Sequence, residues 1–168
     1  MTDATLLRAI AHNNWANKEL LEFCARLGPE QQAWTTAGVY GSIQATLQHI
    51  LSAESGYLFS LTGGERPPQG TLPDGVWPFD VLRGLQRSNA KRIEEVLMNE
   101  KDPERMITRP SGAIVPSTVI VTQFIHHGSD HRAHVGSILG ANGVEGPNLD
   151  AWAFGRAIGV STAPLKTS

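Results

Sequence analysis

The chain is short of cysteine, of clustered charge and of long apolar runs, and each shortage removes a class of protein. A single cysteine, Cys24, among 168 residues excludes an intramolecular disulfide and a cysteine-rich zinc site. On the apolar face of the first expected helix it reads as a small buried hydrophobe. Lys and Arg number 14 against 16 Asp and Glu, a formal net charge of -2 with no basic run. Phosphate neutralisation needs a basic footprint, so no nucleic-acid partner is expected. Gln, Ser or His interrupts every apolar stretch well short of the roughly 18 residues that a membrane span requires. The opening MTDATLLRAIAHNNW has neither the basic nor the apolar region of a signal peptide. No membrane partner is expected, and the cytoplasm is the expected location.

With 40% apolar and 18% charged residues the composition is that of a globular protein rather than a disordered one. The length fits one domain over residues 1–168, large enough to bury a core without a structural metal. A bound metal is then free to serve chemistry.

Four long segments read as helices. The first runs from about Asp3 to Leu27 and stops at Gly28-Pro29, a stop signal followed by a breaker. The second covers about Ser42 to Leu61, with Ser42 as N-cap and Gly63-Gly64 beyond its end. The segment GGERPPQGTLPDG is too rich in Gly and Pro for regular structure. A third helix follows over about Phe79 to Asn99. Met106–Arg109 and Ala113–Val115 suit a short hairpin around Ser111-Gly112. The fourth helix runs from near Pro116, a residue tolerated in a first turn, to about Ala141, and a short fifth covers Leu149–Ile158. Four helices with apolar stripes make an all-α, up-down-type four-helix bundle with a short extra C-terminal helix, whose sites are built from inward-facing side chains. The long connections on either side of the third helix leave the topology open.

Four of the six histidines fall within nine residues, His126, His127, His131 and His134. On a helix His127 and His131 stand one turn apart, with Cβ atoms about 5–6 Å from each other, a spacing that lets two imidazoles share one metal at roughly 2.0–2.1 Å. At 100° per residue Ile120, Phe124, His127, His131, Val135 and Ile138 fall within about 80°, which puts the pair on the core stripe. The competing reading is a pair of core histidines hydrogen-bonded to backbone or carboxylates, but a shared metal satisfies more of their nitrogens. His126 points about 100° away from its neighbour, toward the rim. His134 suits a pocket wall or a group that orients His131. A third ligand is usual in such a centre, and both His12 and His49 are available. His49 lies off the stripe of Ile43, Leu47, Ile50, Leu58 and Leu61, and periodicity does not choose between the two.

Several polar residues fall on apolar stripes. Asn13, Asn14 and Asn17 do so on the first helix and Glu54 on the second. Buried amides must be hydrogen-bonded, so the asparagines read first as an interhelical clamp, and Asn17 also as a candidate contact near a metal. Glu54 suits an acceptor for Asn17 or Arg132 first, and a proton shuttle second. Asp130 suits either a partner that orients a ligand imidazole or a rim ion pair. Trp15, Trp34, Trp77 and Trp152 read as core or loop-anchoring packing.

Three segments together resemble the DinB-like superfamily, the DinB/YfiT-type metal-dependent proteins. Asn14-Trp15-Ala16-Asn17 is similar to the family's helix-one signature. Ser42-Ile43 through Thr46-Leu47-Gln48-His49-Ile50, with Glu54, resembles its helix-two block. His127-Gly128-Ser129-Asp130-His131-Arg132 resembles its helix-four block. The resemblance implies a four-helix bundle and one divalent metal ion per chain, zinc or nickel first, held by His49, His127 and His131. It also implies either a thiol-dependent transferase or isomerase, acting with a low-molecular-weight thiol on a small-molecule substrate, or a hydrolase. The absence of an HExxH-type carboxylate favours the thiol chemistry, and a non-catalytic metal-binding or stress-response protein is the alternative. A homodimer is expected. Where many family members carry Gln, this chain has His134, an added ionisable group beside the centre.

Overall fold

The computed structural model describes residues 3–63 and 75–162. Its elements are α1 (Ala4–Cys24), α2 (Pro29–Gln32), α3 (Ile43–Thr62), α4 (Phe79–Asn99), β1 (Met106–Thr108), β2 (Ile114–Pro116), α5 (Ser117–Ala141) and α6 (Ala151–Ala157). Local chemistry sets most of these bounds. Asp3 caps α1 by accepting from the backbone N–H groups of Thr5 and Leu6, and Ser42 caps α3 by accepting from Ala45. Gly63 ends α3 in the left-handed region at φ 64°, where a side chain would be strained. The first helix stops at Cys24, short of Leu27. Pro29 opens a separate turn instead of only breaking the chain, because its missing N–H costs nothing at a helix start. The hairpin pairs Ile107 with Val115 and turns through Gly112 at φ 83°. The segment GGERPPQGTLPDG lies, between its first and last residues, outside the described residues.

The four long helices form a bundle in which α1 and α3 each pack against both α4 and α5. Two apolar clusters fill it. One joins Leu20, Leu21 and Cys24 of α1 to Ile43, Leu47 and Leu51 of α3, Leu82 of α4, and Val135, Ile138 and Leu139 of α5. The other joins Ile10 of α1 to Leu58 and Leu61 of α3, Ile93 and Leu97 of α4, and Ile120, Val121 and Phe124 of α5. Helices α1 and α5 therefore run from the second cluster to the first, while α3 and α4 run the other way. The directions are up, down, down, up, which resolves what the connections left open. Because α3 and α4 are parallel, the chain between them must return about 30 Å, the length of a 20-residue helix. The end of that return is tied to α3: Gln44 donates to the Trp77 carbonyl at 2.9 Å, the Trp77 N–H donates to Gln48 at 2.7 Å, and Gln48 donates to the Gly75 carbonyl at 3.1 Å. No helix among the described residues is long and apolar enough to cross a membrane.

Between the two apolar clusters lies a polar layer. Asn13, Asn17, Glu54, Ser55, Asn89 and Arg132 are all buried there. Asn13 and Asn17 donate to the same Glu54 oxygen, Oε1, at 2.9 and 2.7 Å, and their own oxygens accept from Arg132 Nη1 at 2.7 and 2.6 Å. Two amides thus stand between a carboxylate and a guanidinium, which ties α1, α3 and α5 together. Gly128 is part of the same arrangement, since a Cβ there would stand 2.5 Å from Asn13 Oδ1 and 2.8 Å from Arg132 Nη1. Cys24 is fully buried in the first cluster, and burial pushes its thiol up to about 12. Trp34 and Trp77 pack on that cluster, but Trp152 is 73% exposed and packs into no core.

Candidate metal centre

The seam between α3 and α5 presents three imidazoles to one another. His49 comes from α3, and His127 and His131 from successive turns of α5. One nitrogen from each lies within 4.8 Å of the others. Nε2 of His127 faces Nε2 of His49 at 3.0 Å, and the three ring centroids are 4.4 to 4.8 Å apart. The histidine pair does not occupy the centre of the core face of α5. Gly128, Arg132 and Val135 do, while His127 and His131 are half-buried on its shoulder, turned toward α3. The offset follows from the polar layer: Arg132 must reach Asn13 and Asn17, and on a helix that turns the preceding residue about 100° aside.

Several observations fit this cluster to a divalent ion. A tetrahedral ion bound at about 2.0–2.1 Å sets its nitrogen ligands about 3.3 Å apart, close to the His49–His127 separation. A nitrogen of the third imidazole lies within 4.8 Å of both. Burial disfavours the charged form of all three rings and so favours the neutral form that ligates. The pKa of His127 is lowered to about 4, first by burial and then by the charges that His131 and His49 would carry. His49 is lowered by burial, and His131 by burial and then by His49 and His134. Nδ1 of His127 is buried and has no hydrogen-bond partner among the described residues. That nitrogen is not the one that faces His49, so an ion held through Nε2 leaves it still without a partner.

The remaining candidates occupy different places. His12 is not at the centre: its Nε2 donates to the Leu149 carbonyl at 2.7 Å, and its ring packs on Trp15 and Phe154, anchoring α6 on α1. His134 is at the centre's edge, with Nδ1 3.2 Å from Nδ1 of His131, a contact that leaves Nε2 of His131 for the cluster. Asp130 is turned outward and pairs with exposed His126 at 3.6 Å. Asn17 belongs to the polar layer, not to an imidazole.

Two aromatic neighbours were not legible in the sequence. Tyr40 stacks on His49 with centroids 3.9 Å apart and planes 15° from parallel, and meets His131 edge-on at 5.2 Å. Tyr57 meets His127 edge-on at 5.8 Å. Tyr40 precedes α3 in a segment without periodicity, so no local pattern points to it. Beside Tyr40 and His49 a cleft of about 350 Å³ opens, bounded also by Ala45, Gln48, Ser52 and Trp77.

The sequence model of the DinB family matches residues 1–158. The chain belongs to the DinB family. No curated protein matches it significantly. Among solved structures, a DinB-like protein from Bacillus cereus ATCC 10987 is similar with a TM-score of 0.70 at 17% identity, over 88% of this chain and 97% of that one. That likeness establishes the bundle fold. Membership and the histidine cluster together are compatible with metal binding in this DinB-family chain.

Proposed function

We propose that His49, His127 and His131 hold one divalent ion, zinc or nickel, and that the centre is catalytic toward a small molecule. The observation that carries this reading is the convergence of three neutral imidazoles from two helices, within 4.8 Å and with no carboxylate among them. Three uncharged ligands leave a bound ion its full double charge, so it supplies Lewis acidity able to lower the pKa of a coordinated water or thiol. The protein's own contribution is positional. His134 holds the ring of His131 through Nδ1, and Tyr40 covers one face of His49 while leaving the cleft beside it open.

Activation of a low-molecular-weight thiol for transfer or isomerisation is preferred over hydrolysis. A hydrolytic centre of this kind uses a carboxylate base beside the metal. Here Glu54 is committed to Asn13 and Asn17, and Asp130 is turned outward toward exposed His126. The test is elemental analysis of protein purified without a metal-affinity tag, followed by thiol-conjugation assays on metal-loaded and chelated samples. About one ion per chain and turnover only in the loaded form are expected. Stoichiometric metal without any thiol-dependent turnover would overturn the thiol chemistry and leave hydrolysis or a non-catalytic binding role.

A further inference from the structure

The polar layer is a costly way to fill a core. A buried carboxylate and guanidinium lose hydration that their mutual attraction only partly restores, and well-packed apolar residues of similar volume are often as stable or more so. What such a layer can provide is a fixed register between helices, because its hydrogen bonds close in only one arrangement. In this chain its members alternate with the histidines. On α5 the histidines at 127 and 131 are each followed by a member of the layer, Gly128 and Arg132. On α3, Glu54 lies five residues from His49, on the same rigid helix. A slide or axial rotation of α5 that kept the histidines facing α3 at some other spacing would break the hydrogen bonds from Arg132 to Asn13 and Asn17. Gly128 lets the backbone of α5 approach Asn13 too closely for any Cβ, and so sets the depth of α5 against α1.

From this juxtaposition we infer that Glu54, Asn13, Asn17 and Arg132 are positioning residues for the histidine cluster. Their network fixes α3 and α5 in the register that keeps Nε2 of His49 and His127 at ligating distance. The inference rests on the proposed metal-binding role. It assigns the network to the affinity and geometry of the centre rather than to stability, since stability is what an apolar layer would supply equally well.

The test separates those two roles. The variant carrying Glu54→Leu, Asn13→Leu, Asn17→Leu and Arg132→Met replaces the layer with apolar side chains and removes both buried charges together. Zinc affinity is measured by competition with a chromophoric chelator, and ligand geometry by the visible spectrum of the cobalt-substituted protein. Urea unfolding of the chelated form is run alongside. The expected result is a folded variant of comparable or greater stability whose zinc affinity falls by on the order of tenfold or more, with an altered cobalt spectrum. Wild-type zinc affinity and an unchanged spectrum in the folded variant would overturn the positioning role while leaving the metal centre intact. Failure of the unsubstituted protein to bind zinc or cobalt would overturn both. If the fourfold variant does not fold, Arg132→Met alone decides, because it removes both hydrogen bonds from α5 to Asn13 and Asn17 while both amides stay bonded to Glu54. A several-fold loss of affinity supports the inference, and wild-type affinity there overturns it.

Discussion

Replacing Gly128 by alanine puts the reading of the core to a direct test, because the usual helix rule and the tertiary contact predict opposite signs. In an unobstructed helix interior, Gly→Ala stabilises by up to about 1 kcal/mol through the lower entropy of the unfolded chain. At position 128 the new Cβ would stand 2.5 Å from Asn13 Oδ1 and 2.8 Å from Arg132 Nη1. The Asn13 side chain cannot swing clear, since it is fully buried and its amide is engaged at both ends, by Glu54 at 2.9 Å and Arg132 at 2.7 Å. Giving way therefore breaks at least one charge-assisted hydrogen bond, worth about 1.5–3 kcal/mol, or forces an overpacked core at about 1–3 kcal/mol. Set against the propensity gain, the net loss is about 0.5–2 kcal/mol, or roughly 1–8 °C in Tm for a chain of this size. Gly136 lies on the same helix, and nothing approaches its Cβ position within 4 Å; its replacement by Ala should stabilise by about 0.5–1 kcal/mol. Urea unfolding of both variants in chelator, which keeps metal linkage out of the comparison, reads the difference. Equal stabilisation by the two substitutions would refute the packing of Gly128 against the polar layer.

Other consequences follow from the same geometry. Burial pushes Glu54 up to about 7 from an ordinary 4.5, so the folded chain holds that proton longer than the unfolded one. Stability from this group is highest below about pH 4.5 and falls by up to about 3 kcal/mol as pH rises to 7, then stays flat. The lowered histidines contribute the opposite slope, so the measured quantity is the difference between wild type and Glu54→Gln across pH 5 to 8, and a difference independent of pH would contradict the shift. His49→Ala should weaken zinc binding by orders of magnitude, whereas His12→Ala should keep the ion and lose about 1 kcal/mol with its hydrogen bond to Leu149; isothermal titration of both variants distinguishes the two residues. Zinc at a hundredfold excess over Kd should stabilise the fold by about 2.7 kcal/mol, and unfolding on chelation alone would mark the site as structural.

What the sequence determined by itself was local. The bounds of α3, α4 and α5 follow from caps, glycines and periodicity, and the facing of His127 and His131 follows from one turn of helix. So does the occurrence of Asn13, Asn17 and Glu54 on apolar stripes, which required an interhelical partner for each. The family signature added His49, which periodicity had left level with His12. Tertiary structure decided the rest, because one helix's pattern is silent about which neighbour each face meets. An apolar-stripe argument centres the core of α5 on its large hydrophobes and so draws His127 and His131 inward. In the bundle the centre goes to Gly128 and Arg132 instead, since a polar layer spans the core there and only the partners on α1 and α3 can satisfy it. The up-down-down-up order has the same origin: a long connection permits either direction for α4, and the choice is made by which ends of four helices bury their apolar residues together. Tyr40 comes to His49 from an irregular segment, a placement that exists only once α3 and the chain leading into it are folded against each other.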